Sequence, residues 1–201
     1  MPEEAAPPLL NLTNQFLVAM PGMSDPHFAR SVVYICEHSD KGALGLVVNK
    51  PAPVTLAELL EQLGLPLRNA AQSERPIYQG GPVQTDRGFV LHEPMRAAEL
   101  PADEAAYAST LIVPGGLEMT VSRDVLEAVA LGGGPRRLMV LLGYASWEGG
   151  QLEAELSDNQ WLTTPASPDI IFHTPAEQRY DQALGLLGLN AGRIALRAGH
   201  A

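Results

Sequence analysis

Three short stretches hold the side chains with chemical potential. The first is Asn49-Lys50-Pro51, which leaves an apolar run and leads through Pro53 toward a helix start at Thr55. A helix N-terminus with a lysine beside it favours anions. The stretch lacks the glycine-rich phosphate-loop pattern, which weighs against a nucleotide. The second is Gly80-Gly81-Pro82-Val83-Gln84-Thr85-Asp86-Arg87-Gly88-Phe89-Val90-Leu91-His92. Here glycine opens backbone angles closed to other residues and proline fixes one, so a rigid turn is expected. It carries an Asp-Arg couple. Arg87 has the fork that a polar ligand would meet in bidentate fashion. The competing reading, in which Asp86 and Arg87 merely brace the turn, is favoured because loop ion pairs are common. The third is Cys36 with His38, two residues apart. One thiol and one imidazole without a second cluster fall short of a zinc site. In an apolar strand the thiol reads as buried and inert.

Other candidates weaken on inspection. Gly132-Gly133-Gly134 follows a helix and precedes a strand, the reverse of a phosphate cradle, so it reads as a helix terminator. Ser146 lacks the Gly-x-Ser-x-Gly elbow of hydrolases. His92-Glu93 has acid–base residue types at a strand end, but a lone histidine is more often structural. The ligand-binding candidates are therefore Asn49, Lys50, Gly80, Gly81, Asp86, Arg87 and His92. If they form one site, Asn49, Lys50, Asp86 and Arg87 should line one cavity. No catalytic residue, metal or cofactor is assigned.

The elements that would position these residues follow from periodicity. Gln15–Met20, Ser31–Glu37, Ala43–Asn49, Gly88–His92, Ser109–Val113, Leu117–Val121, Leu138–Tyr144, Trp161–Thr164 and Ile170–Phe172 read as strands. Four helices are expected. Thr55 with Glu58 forms a capping box ahead of Leu56, Leu59, Leu60 and Leu63, and Gly64 ends that helix. Ser122 caps a second, with Val125, Leu126 and Val129 inward. Gly150–Asn159 is a third. Thr174-Pro175-Ala176-Glu177 reads as a capping box opening the fourth, with Tyr180, Ala183, Leu184 and Leu187 on one face. Ser24-Asp25-Pro26 predicts a short helical turn, and the polar segment 66–75 a loop. Strand pairs dominate the first half and helices interrupt later, which argues for an α+β domain.

Composition bounds the rest. The chain has 201 residues, 46% of them hydrophobic and 18% charged, ordinary for a globular domain with its own core. Residues 1–10 are expected to be a disordered tail and 11–201 a single domain. The acidic start, Met1-Pro2-Glu3-Glu4, has no signal-peptide pattern. With a single cysteine there is no intrachain disulfide. A cytoplasmic protein is expected, with no membrane association, since no apolar run reaches spanning length. The net charge is −10. Lysine occurs only at positions 41 and 50, and Arg136-Arg137 is the sole adjacent basic pair. Phosphate backbones are repelled at long range, so direct nucleic-acid binding is not expected.

Longer blocks then align with a known family. Phe16-Leu17-Val18-Ala19-Met20-Pro21-Gly22-Met23, Asp25-Pro26-His27-Phe28, Ser31–His38 and Gly45-Leu46-Val47-Val48-Asn49-Lys50-Pro51 resemble the YqgE/AlgH family of bacterial proteins. So do Gly80-Gly81-Pro82-Val83, Asp86-Arg87-Gly88-Phe89, Ser122-Arg123-Asp124-Val125-Leu126, Leu142–Trp147, Gly150-Gln151-Leu152-Glu153 and Ala198-Gly199-His200-Ala201. The blocks run in order across residues 12–201. The resemblance implies a branched, largely antiparallel sheet curled into a pseudo-barrel and flanked by about four helices. It carries over no catalytic residue. Some family members are labelled transcriptional regulators, because one branch was linked to control of alginate production. The leading expectation is a non-catalytic protein that binds a small molecule or a protein partner, any regulatory effect being indirect. The alternative is an enzyme of unknown reaction with a pocket near Asn49, Lys50, Asp86, Arg87 and His92. A direct DNA-binding regulator ranks last, because no helix-turn-helix, zinc finger or basic helix is found.

Overall fold

Alternating and continuous apolar runs fold into ten strands and six helices in the computed structural model, which describes residues 10–95 and 105–198. In chain order these are β1 (Gln15–Ala19), β2 (Val32–Ser39), β3 (Gly42–Val47), β4 (Pro51–Thr55), α1 (Leu56–Gln62), β5 (Pro76–Gln79), β6 (Val83–His92), β7 (Thr110–Ile112), β8 (Glu118–Thr120), α2 (Arg123–Ala130), β9 (Leu138–Glu148), α3 (Gln151–Ser157), β10 (Trp161–Pro165), α4 (Pro168–His173), α5 (Ala176–Leu186) and α6 (Ala191–Ala198). The strands form one sheet in the order β10-β1-β2-β3-β9-β6-β8-β7, with β4 and β5 as a side branch. Every pairing is antiparallel except β5 with β9. This is the expected α+β fold with a curled, branched sheet.

The branch arises on β9. Leu141 and Leu142 lie between Tyr78 and Gln79 of β5 on one side and Phe89 and Gly88 of β6 on the other. Beyond Gly143, whose φ is +74°, residues Ala145–Glu148 pair with β3 instead. Side-chain alternation along β9 serves two cores. Leu138 and Val140 pack with Leu56, Leu60, Ile77 and Val125 under α1 and α2. Met139 and Leu141 face the larger core of β1, β2, β3, β10 and α3–α5. Fully buried leucines such as Leu56 and Leu60 contribute about 1.5–3 kcal/mol each.

Hydrogen bonds draw the two ends of the sheet together. The Tyr34 hydroxyl donates to Asn14 Oδ1 and accepts from Leu117 N–H, and Asn14 Nδ2 donates to Gly115 O. The β7–β8 turn at Pro114-Gly115-Gly116 thus docks on Asn14, just before β1, and on Tyr34 of β2. Gly116 has to be glycine, because a Cβ there would sit 2.4 Å from the Tyr34 hydroxyl.

Several expectations are corrected. Among the described residues six helices are present where about four were expected. Ile170–Phe172 is not a strand: Ser167 Oγ accepts from Ile170 N–H, Pro168 opens the first turn, and α4 forms. A short apolar run does not by itself separate strand from buried helix. The box at Thr174–Glu177 is absent. Pro175 takes the cap position of α5, which has no side-chain cap bond. Ser122 holds its cap position, but its hydroxyl binds Ala108 O and the Asp124 carboxylate rather than a backbone N–H of the helix. The Thr55–Glu58 box forms in full. Helix termination at the glycine run holds as well, with Gly132 at φ +87°. Segment 66–75 contains one 3-10 turn, at Ala70–Gln72. The tail expected at 1–10 falls, but for Leu10, outside the described residues, as do Gly199-His200-Ala201.

Candidate functional site

The turn after β1 is set by Asp25, whose Oδ1 accepts from His27 N–H at 2.8 Å and Phe28 N–H at 3.3 Å. This presents the His27 carbonyl to Lys50 Nζ, which donates to it at 2.7 Å. Asn49 fixes the same corner from the other side. Its Oδ1 accepts from Val32 N–H and its Nδ2 donates to Arg30 O, each at 2.8 Å. Gln79 N–H donates to Lys50 O, and Val47 N–H to Gly80 O. The connectors β3–β4 and β5–β6 are thereby held side by side.

Between them opens a cleft of about 420 Å³. His27, Lys50, Gln79 and Thr85 give it polar groups. Pro26, Pro53, Val54, Pro82 and Leu142 give it apolar walls, and Gly81 forms part of the floor. Burial pushes the Lys50 ammonium pKa below its usual value, and the nearby Asp25 carboxylate offsets part of that. Of the seven sequence candidates, Lys50 and Gly81 line the cleft. Asn49 and Gly80 support it from behind through backbone and amide bonds.

Asp86 and Arg87 lie elsewhere. The turn expected at Gly80–Arg87 gives way to β6 as early as Val83. Between Val83 and Gly88 the register against β9 slips, so Gln84–Arg87 bulge outward. Both charged residues are exposed, and no ion pair joins them among the described residues. Arg87 instead donates to Gln84 Oε1 at 3.3 Å and lies 5.9 Å from the Phe89 ring centre.

His92 is fully buried at the far end of β6. Its Nδ1–H donates to Glu93 O at 2.8 Å, leaving Nε2 to accept from the Thr120 hydroxyl at 2.8 Å. Thr120 in turn bonds Thr110, and the Tyr107 ring stands edge-on at 5.8 Å. Glu118 Oε2 is 3.9 Å from Nδ1 and has no hydrogen-bond partner among the described residues. Burial lowers the His92 pKa from 6.5, with Glu118 and Glu93 opposing. The unfolded chain therefore binds the proton first. Stability is complete above pH 6.5 and is lost as pH falls through the folded pKa, with a slope of at most about 1.4 kcal/mol per pH unit. Urea titrations should show wild type losing this advantage over His92→Gln between pH 7 and pH 5. A constant difference over that range would show that His92 does not titrate on unfolding.

Cys36 is buried, and burial pushes its thiol pKa up, as an inert core residue requires. Sequence reasoning missed Arg179. It is 4% exposed and donates to Thr174 O at 2.8 Å, to Val48 O, and to the Tyr78 hydroxyl at 3.1 Å. Its position was the available signal: it stands four residues before Ala183, on the inner face of α5.

Comparison with known proteins places this chain and its fold in a family. The AlgH-like family model matches residues 16–192. A UPF0301 protein of Acidovorax sp. (strain JS42) is 57% identical over 201 residues, covering all of both chains. One from Polaromonas sp. is 59% identical over 193 residues, 96% of this chain and 97% of that one. The solution structure of the AlgH protein from Pseudomonas aeruginosa superimposes with a TM-score of 0.74 at 50% identity, over 99% of this chain and 100% of that one. A crystal structure from Corynebacterium diphtheriae, 22% identical with a TM-score of 0.65 over 90% of this chain and 88% of that one, shares the fold. The chain belongs to the AlgH-like family.

Proposed function

We propose that this protein acts in the cytoplasm by binding rather than by catalysis, taking a small molecule into the Lys50 cleft, and that any regulatory effect is indirect. One observation carries the reading. The cleft is mostly apolar, its ammonium donates to the His27 carbonyl, no carboxylate or thiol lines it, and the His27 ring there has no hydrogen bond to Lys50 or Thr85 among the described residues. A nucleophile is commonly activated by a base held within hydrogen-bond reach, and no such pair forms in this lining among the described residues. The enzyme alternative placed its pocket near Asn49, Lys50, Asp86, Arg87 and His92, and of these only Lys50 belongs to this lining.

Charge supports an indirect role. Arg137, half of the adjacent basic pair, bridges Glu93 at 3.1 Å and Asp169 at 3.6 Å. In a chain of net charge −10 this leaves little to attract a phosphate backbone. Among the described residues no helix is long and apolar enough to cross a membrane.

The test is retention. Immobilised protein is exposed to a bacterial metabolite extract, washed and denatured, and the released compounds are weighed by mass spectrometry beside those from Thr85→Trp, which fills the cleft from an exposed position. Wild type should release a compound that was already present in the extract, and Thr85→Trp should not. Equal release by both proteins, or conversion of the compound to a new mass, would reject the reading.

A further inference from the structure

We infer that the occupant of the Lys50 cleft is a monoanionic carboxylate carried on an apolar body; this rests on the binding reading above. Three independent features of the site point there. Lys50 Nζ carries three donors. One goes to His27 O, and no carboxylate lies within ion-pair distance of it among the described residues. The remaining donors are available to an acceptor in the cleft, where Gln79 and Thr85 add an amide and a hydroxyl.

Behind the same wall lies a second cation. Arg179 is nine-tenths buried and more, yet its partners are two carbonyls and a phenol, all neutral. Val48, which accepts from it, sits between the lining residues Val47 and Lys50. Tyr78, which also accepts from it, precedes the lining residue Gln79. A buried guanidinium with no carboxylate partner among the described residues is costly, and an anion in the adjacent cleft would supply a counter-charge. Arg179 is a positioning residue here: it bonds the β3–β4 connector that carries Lys50 and the strand β5 that carries Gln79, and its charge biases the cleft without touching the occupant.

The kind of anion follows from the rest of the surroundings. Asp25 stands on the same turn as the Lys50 partner: its Oδ1 accepts from His27 N–H, and the His27 carbonyl accepts from Lys50 Nζ. A second negative charge on the ligand would meet that carboxylate, so a monoanion is favoured over a phosphate dianion. The apolar walls of Pro26, Pro53, Val54, Pro82 and Leu142 call for a hydrocarbon or aromatic body, as in most small-molecule sites.

Hexanoate, hexyl phosphate and hexylammonium serve as matched probes, titrated into the full chain by calorimetry and followed by amide chemical shifts. Hexanoate should bind most tightly and shift residues 47–54 and 79–85. Lys50→Met should weaken hexanoate at least tenfold and Lys50→Arg should largely retain it, both variants keeping the wild-type fold by circular dichroism. The inference is overturned if hexyl phosphate or hexylammonium binds as well as hexanoate, if Lys50→Met binds like wild type, or if hexanoate fails to bind. Should hexanoate fail while extract compounds still depend on an open cleft, the ligand class is wrong and the binding reading stands. Should Thr85→Trp retain the extract compounds, the binding reading itself falls.

Discussion

Replacing Gly81 by alanine is expected to cost about 4 kcal/mol or more of stability, a size reserved for changes the fold has no way to absorb. The new Cβ would lie 2.1 Å from the carbonyl carbon of Tyr144, 2.2 Å from its oxygen and 2.4 Å from Ala145 N. All three are backbone atoms, so no rotamer change relieves the contact. The approach is mutual, since a Cβ on Gly143 would sit 2.5 Å from Gly81 O. Relief requires pulling the β5–β6 connector off β9. That would strain the bonds from Gly80 N–H to Leu142 O and from Val47 N–H to Gly80 O. In a chain of this length such a loss lowers the melting midpoint by roughly 10 °C. Gly88→Ala is the control from the same motif. Nothing lies within 4 Å of its Cβ position, and its effect should stay within about 0.5 kcal/mol. Thermal and urea denaturation of both variants decide the matter: a wild-type midpoint for Gly81→Ala would show that the two backbones are not in fact this close.

The contrast between Gly81 and Gly88 marks what could be read from the sequence. That Gly80-Gly81-Pro82 forms a constrained connector followed from residue type. That one glycine faces a backbone 63 residues away, at Tyr144, and the other open space, depends on which strand β9 pairs with, and no local pattern encodes that. The long strands and the Thr55-capped helix were legible because alternation and caps are local. β4 and β5 were not, because Pro51, Pro53 and Pro76 disguise them; they survive as a short side pair, where prolines are tolerated. Ile170–Phe172 failed for a related reason: three apolar residues fit a strand or one face of a helix, and Ser167-Pro168 decided it. For the site, Lys50 was legible because it leaves an apolar run and leads through Pro53 toward the helix start at Thr55. Asp86 and Arg87 drew attention by charge, but the bulge that turns them outward is a property of β6–β9 register. Arg179 was hidden among the charged residues of an amphipathic helix, although its spacing from Ala183 placed it inward.

Glu155 gives the second large effect. Its Oε2 accepts from the indole N–H of Trp147 at 2.9 Å and of Trp161 at 2.8 Å, while Oε1 accepts from Gln151 Nε2 at 3.0 Å. Trp147 belongs to β9 and Trp161 to β10, so one carboxylate on α3 ties the end strand β10 to β9, which β1, β2 and β3 separate from it in the sheet order. Phe28 packs on both rings, with centroids 6.0 and 5.5 Å away. Both tryptophans are buried, so neither N–H has an easy substitute in water. Glu155→Gln keeps an oxygen in place and loses the charge assistance, a cost of about 1 kcal/mol. Glu155→Leu strands two buried donors at about 1–3 kcal/mol each, together about 4 kcal/mol. The chain has two tryptophans, so its two indole N–H resonances report directly on this oxygen. Both should move in Glu155→Gln, and the stability order should run wild type, Gln, Leu. If only one resonance moves, the shared acceptor is wrong. If Glu155→Leu melts with the wild type, the closure of β9 against β10 rests on ring packing with Phe28 rather than on the carboxylate.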